Sequence, residues 1–227
     1  MVGVEIGVVV AVGIGVEIGV VVGVVVEVDV DVRVAVGVEI DVVVVVVVVV
    51  GVNMTISLGI DTGLATMGWA IASSVHGPLV AGVAITKPLA DRKTIDRPRR
   101  AHEQAARLAG AIAEYHPDRV VIEAMSFPRG SNALVPIALS WGVALGVVAS
   151  AVPRPSLLTI SPQRWQRLIV PSSGKTVDYD AVVREVERYG ADRLACIKDR
   201  DRSHAIDAMA LAVVGLLAPQ ECDVIWR

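Results

Sequence analysis

The sequence changes character abruptly between Asn53 and Met54, and that break limits every fold the chain can adopt. Residues 1–53 contain no Leu, Phe, Pro, Ser, Thr, Lys or aromatic residue. From Met54 onward all of these return, and the chain reads like an ordinary globular sequence. Within the first part, residues 26–42 alternate apolar with charged or small residues, the period-2 pattern of a strand with one apolar face, and Val42–Val50 is unbroken valine. Such a segment has high β propensity and no turn chemistry beyond scattered glycines, so alone it aggregates more readily than it folds. Gly-Val-Glu-Ile recurs at residues 3, 15 and 37. Val, Gly, Ala, Asp and Glu share codons beginning with G, so the stretch reads as translated repetitive DNA, with Met54 the natural initiator. We therefore expect residues 1–53 to be a low-complexity Val/Gly-rich segment outside the functional domain, and residues 54–227 to be that domain.

The division changes the meaning of the charge. The whole chain is net −3, but residues 1–53 hold seven acids against Arg33 alone. What remains has 20 basic and 17 acidic residues, a net +3 that suits a polyanionic partner without specifying one. Cys196 and Cys222 are too few for a disulfide framework and lack zinc-site spacing, which points to a reducing, cytoplasmic setting. The apolar runs near the N-terminus are broken by acids well short of the roughly 20 residues that span a bilayer, and no basic region precedes them. Neither a membrane anchor nor a secretory signal is expected.

From Met54 the apolar runs Ile56–Asp61, Met67–Ala72 and Leu79–Ile85 are joined by short Gly- or Pro-containing connections, as in an antiparallel meander. Helical spacing runs from Arg97 to His116, where Pro117 stops it. Arg119–Ala124 reads as a strand buried on both faces. A helix over 134–151, a strand over 156–160 and a short helix entered at Ser161-Pro162 follow. An amphipathic helix over 178–189 closes at Gly190, and Ser203 caps a last helix running to about Leu217. The expectation is an α/β domain: a mixed five-stranded sheet flanked by helices.

Four polar residues stand out against this frame. Asp61 ends the first strand of the domain, Glu123 ends the fourth, and His204 and Asp207 lie three apart on one face of the last helix. Each has an ordinary explanation when taken singly. Asp-Thr-Gly is good turn chemistry, Glu123 could be a strand-end charge reaching solvent, and His204 and Asp207 suit a first helical turn. Together, three carboxylates and an imidazole drawn from two strands and a helix make a divalent-metal site. Oxygen donors favour Mg²⁺, with Mn²⁺ as a substitute, over zinc.

The sequence around these residues resembles the RuvC Holliday-junction resolvases of the ribonuclease H-like superfamily. The similarity lies in Gly59-Ile60-Asp61-Thr62-Gly63 with the following Gly68-Trp69-Ala70, in Val120-Val121-Ile122-Glu123, and in the His-x-x-Asp-Ala-x-Ala-Leu-Ala block within Ser203–Ala212. Further similarity lies at Trp141-Gly142-Val143-Ala144-Leu145, and at Lys175 ahead of an amphipathic helix. One departure is that the family's aromatic wedge, three residues after the strand-end Glu, is Ser126 here, with Phe127 next.

The resemblance implies a ribonuclease H-like fold and two-metal phosphodiester hydrolysis, with Mg²⁺ ions about 4 Å apart. Asp61 would bridge both ions, and Glu123 and Asp207 would each hold one. His204 would complete the set or orient the water, and Lys175 would neutralise charge on the phosphate. The implied substrate is branched DNA, in particular the four-way junction, and the implied assembly is a homodimer, because opposed nicks on a two-fold junction need two sites. The helix over 134–151 is the candidate dimer surface. A basic cluster, Arg92, Lys93, Arg97, Arg99 and Arg100, and the Arg164-Trp165-Gln166-Arg167 stretch are candidate DNA contacts, the latter equally readable as a solvated face around a core Trp165. Alternatives are another branched-DNA or transposase-type nuclease of the same fold, a non-catalytic nucleic-acid-binding module, and a phosphotransferase in which Asp-x-Gly cradles a nucleotide.

Overall fold

The computed structural model describes residues 22–33, 39–50, 54–89, 93–125, 134–171 and 177–226, the first two stretches as backbone only. Two units result, residues 1–54 and 55–227. In the first, β1 (Val22–Arg33) and β2 (Glu39–Val50) pair antiparallel, with Asp31 opposite Asp41 and Val22 opposite Val50.

The second unit is built on one mixed sheet. Its strands are β3 (Ile56–Asp61), β4 (Thr66–Ser73), β5 (Gly77–Ile85), β6 (Arg119–Glu123), β7 (Ser156–Ile160) and β8 (Asp223–Trp226), ordered β5-β4-β3-β6-β7-β8. The meander β3-β4-β5 is antiparallel, as its short connections dictate, whereas β3, β6 and β7 run parallel because helices cross between them. The expected five strands become six. Asp223–Trp226 is too short for its period to be read, and it gains its place on the edge by antiparallel pairing with β7 and by Trp226 Nε1 donating to Pro155 O (3.1 Å).

Five helices cover the sheet: α1 (Lys93–Tyr115), α2 (Leu134–Ser150), α3 (Pro162–Ile169), α4 (Tyr179–Leu194) and α5 (Asp199–Leu217). The pleat sorts the strand residues between them. Leu58, Ile60, Val120 and Ile122 point to a core shared with Leu108 and Ile112 of α1 and Ala144 and Val148 of α2. Val121, Leu158 and Ile160 point to the opposite core, filled by Trp165 of α3, Val182 and Val186 of α4 and most of the apolar residues of α5.

Three helix boundaries differ from expectation, and one of them matters for the site. The least consequential is that of α1, which starts at Lys93 rather than Arg97. Helix α4 does not stop at Gly190 but passes through it with a local kink (φ −140°, ψ 19°) and continues to Leu194. Helix α5 starts at Asp199 rather than after Ser203, with Lys198 in the N-cap position. Asp199 and Asp201 fill its first turn, where the helix dipole favours acids, and Arg200 Nε bonds Asp201 at 3.0 Å. A charged run that reads as solvated chain is therefore a helix start. His204 and Asp207 lie well inside the helix, which removes the first-turn explanation for both. Among the described residues no helix is long and apolar enough to cross a membrane.

Candidate active site

Alternation along β3 puts Ser57, Gly59 and Asp61 on the face opposite Leu58 and Ile60, and alternation along β6 puts Glu123 on the face of Val121. Both acids thus point toward α5. In the parallel β3/β6 register Ile60 lies beside Ile122, so the next step along each strand carries Asp61 and Glu123. The ends of neighbouring parallel strands deliver the two carboxylates side by side.

Helix α5 reaches them because the sheet beneath it has glycines. A Cβ on Gly59 would stand 1.9 Å from Ala208 O, and one on Gly68 would stand 1.9 Å from His204 O. Only hydrogen at these positions lets the helix backbone lie directly on β3 and β4. That approach brings His204 Nδ1 to 2.6 Å from Asp61 Oδ2. The Asp61 side chain is 14% exposed and that of His204 38%, so the imidazole caps the carboxylate at the solvent edge. His204 is also part of the wall of a cleft of about 1130 Å³ with Leu64, Ala65, Leu89, Arg97 and Val135.

Each of the other two carboxylates has its own donor. Trp165 Nε1 donates to Glu123 Oε2 at 2.9 Å, and Tyr179 OH donates to Asp207 Oδ1 at 2.6 Å. A second indole, Trp141 Nε1, donates to the Glu123 backbone carbonyl at 3.1 Å. Burial pushes Glu123 up to about 7, against the lowering effect of the Trp165 bond, and the charges of Asp61 and Asp207 push it further. Asp207 is raised to about 6, again mainly by burial, with Tyr179 opposing and Asp61 adding. His204 is raised chiefly by its bond to Asp61, and Tyr179 is raised by burial and by Asp207. The acids sense one another as like charges in a partly dry place, a situation that a bound cation relieves.

Of the residues singled out from sequence, His204 is hydrogen-bonded to Asp61, and Glu123 and Asp207 lie within reach of the Asp61 charge. Among the described residues, no three His, Cys, Asp or Glu side chains stand close enough to form a metal-holding group. In kind, however, the donor set fits a hard divalent cation. It is three carboxylates, each with one oxygen bonded to a neutral donor or to His204 and no second hydrogen bond among the described residues. Lys175, Arg92, Ser126 and Phe127 lie outside the described residues. Of the two readings of the Arg164–Arg167 stretch, the structure supports the core Trp165 and not the stacking one: Trp165 is wholly buried against Glu123 and not free to stack on a base, and Arg164 pairs with Glu221 at 3.0 Å. Tyr179 was missed altogether. Its position at the start of an amphipathic helix carries no sequence mark of a carboxylate partner.

No protein-family model matches the sequence, and no curated protein matches it. Among solved structures, the chain is similar to Thermus thermophilus RuvC in complex with Holliday junction substrate. The TM-score is 0.60 and the identity 18%, over 75% of this chain and 99% of that one. A second T. thermophilus RuvC structure gives a TM-score of 0.57 at 18% identity, over 75% of this chain and all of that one. The fold of the second unit is therefore RuvC-like, of the ribonuclease H-like type.

Proposed function

We propose that residues 54–227 form a divalent-metal-dependent endonuclease that cuts branched DNA, with the four-way junction as preferred substrate. The observation that carries this reading is the meeting of Asp61 and Glu123, from neighbouring parallel strand ends, with His204 and Asp207 from one face of α5. A non-catalytic module would gain nothing from burying like charges that raise one another's proton affinity.

Asp61, Glu123 and Asp207 would hold Mg²⁺ or Mn²⁺ through carboxylate oxygens. Once bound, these ions would supply Lewis-acid activation of water and neutralisation of charge at the scissile phosphate. With its Nδ1 engaged by Asp61, His204 presents Nε2 to a phosphate oxygen or a water, as a donor when the ring is protonated, the form that the Asp61 bond favours, and as an acceptor when it is neutral. Asp61 in turn fixes the imidazole plane. Lys175 is assigned the role of a cation near the cleaved phosphate, on the resemblance alone. A two-fold junction calls for two copies of the chain, and α2, with Leu134 and Val135 exposed at its start, is the assigned contact surface.

The test is Mg²⁺-dependent cleavage of four-way, forked and linear duplex DNA by the full chain, beside a chain lacking residues 1–53 and beside Asp61→Asn. Junction cleavage by both lengths of chain, reduced by about three orders of magnitude in Asp61→Asn, is the expected result. Equal cleavage by wild type and Asp61→Asn would remove the metal-site reading. Forks cut as well as four-way junctions would widen the substrate to branched DNA in general.

A further inference from the structure

The donors on Glu123 and Asp207 differ in kind from the usual partners of buried carboxylates. Neither is an arginine or a lysine. Trp165 is fully buried on α3, and its only polar atom is spent on Glu123 Oε2. Tyr179, at the first position of α4, spends its hydroxyl on Asp207 Oδ1. Trp141, on α2 at the far side of the sheet, holds the Glu123 carbonyl, so that the side chain and the backbone of this one residue are gripped by two indoles from different helices.

A cationic partner would fix a carboxylate equally well but would neutralise it and compete with any incoming cation. An indole N–H or a phenol O–H fixes it while leaving its charge intact. A buried indole also adds a rigid, water-excluding wall, which an exposed serine or water could not provide.

We propose that Trp165 and Tyr179 are positioning residues, each orienting one carboxylate through a neutral donor so that its second oxygen is left free for a divalent cation. Trp141 completes the arrangement by anchoring the Glu123 backbone. This rests on the nuclease reading above for its purpose, but its first readout is cation binding and does not require DNA cleavage. Partners of this sort around metal-holding side chains characteristically govern affinity or activity by about 10- to 100-fold.

The decisive experiment measures Mn²⁺ binding to the full chain by electron paramagnetic resonance, together with kcat and KM on junction DNA and the melting temperature. The variants are Tyr179→Phe, Trp165→Phe, and a chain carrying benzothienylalanine at 165, which keeps the indole outline but replaces the N–H by sulfur. Mn²⁺ affinity should fall by about 10-fold or more in Tyr179→Phe and in the benzothienylalanine chain. In the same two chains kcat at fixed Mg²⁺ should drop in step, KM for DNA should stay within about twofold, and melting should be nearly unchanged. Wild-type Mn²⁺ affinity in both would overturn the proposal, even if Trp165→Phe alone is impaired through the space it leaves. A wild-type chain that binds Mn²⁺ but cuts no DNA would overturn the nuclease reading while the Mn²⁺ series still decides the role of Trp165 and Tyr179. A wild-type chain that neither binds Mn²⁺ nor cuts would overturn both.

Discussion

On one side of the six-stranded sheet, Leu58, Ile60, Met67 and Ile122 meet α1 and α2 through ordinary interlocking side chains. On the other, α5 lies so close to β3 and β4 that backbone meets backbone at Gly59 and Gly68, and every site carboxylate is on that side. Side-chain packing tolerates small shifts because several χ angles can absorb them. Backbone contact does not. The face that must hold His204 against Asp61 to within a hydrogen bond is the one where the helix is fixed by glycine. The other face supplies stability and one supporting bond, from Trp141.

The sharpest way to break this contrast is one substitution on each face. Gly68→Ala forces a methyl group into the His204 carbonyl, a neighbour that cannot turn aside. We expect a cost at or above about 3 kcal/mol, the upper end for overpacking, and loss of cleavage even at temperatures where the variant remains folded. Leu108→Ala empties a fully buried position of the α1/α2 core and should cost about 2–5 kcal/mol, comparable in stability. Yet its folded fraction should keep the wild-type kcat. Denaturant unfolding and cleavage rates measured on the same samples decide the matter. Activity that tracks stability alone in both variants would erase the distinction between the faces.

The same contrast explains which parts of the molecule were legible in the sequence. The meander, the parallel strands and the positions of Asp61 and Glu123 follow from alternation and from acids that end apolar runs, so the sequence carries them directly. His204 and Asp207 were readable as a pair, although the helix bearing them begins at Asp199, because a run of alternating acids and arginines resembles solvated chain until its buried Asp201 is seen. Glycine-mediated contact was not readable. Gly59 and Gly68 look like turn or strand punctuation, and nothing local tells that a helix about 140 residues later lies on them. Trp165 and Tyr179 are similarly silent, because an indole or a phenol shows a carboxylate partner only when distant elements have met. Strand β8 was missed because four residues are too few to show a period.

A smaller effect comes from protons, and it sharpens the contrast because the raised site groups all belong to the α5 face. Burial lifts Glu123 to about 7 and Asp207 to about 6, so without a cation the folded protein retains protons that an unfolded chain has released. Their stabilising contribution is complete below the ordinary carboxylate range and is lost as pH rises through 6 and 7. His204, raised by Asp61, works in the same direction. Its share is complete below about 6.5 and disappears as pH rises through its folded value. The metal-free protein should therefore lose several degrees of melting temperature from these groups between about pH 5 and pH 8. Saturating Mg²⁺ should restore them at the alkaline end and do little at the acid end, where the carboxylates are protonated. Glu123→Gln should flatten the pH slope. An equal Mg²⁺ effect at both ends would separate cation binding from these carboxylates.

The smallest expected effect tests whether the α1/α2 face also meets the substrate. Two of the four arginines of α1 are committed to the protein: Arg99 pairs with Asp96 and Glu103, and Arg100 with Asp96 and the Thr86 hydroxyl. Arg97 differs. It is exposed and has no ion pair among the described residues, and like Arg100 it lines the cleft that includes His204. A cation so placed is positioned to meet a phosphate of bound DNA. Arg97→Ala should weaken junction binding only a few-fold and uniformly across sequences, and should reduce the slope of log affinity against log salt by about 1. Its kcat and melting temperature should match wild type. Arg100→Ala should do the opposite, lowering the melting temperature while leaving the salt slope alone, because it strips a partner from buried Asp96. If Arg97→Ala leaves the salt slope unchanged, DNA does not pass over the start of α1.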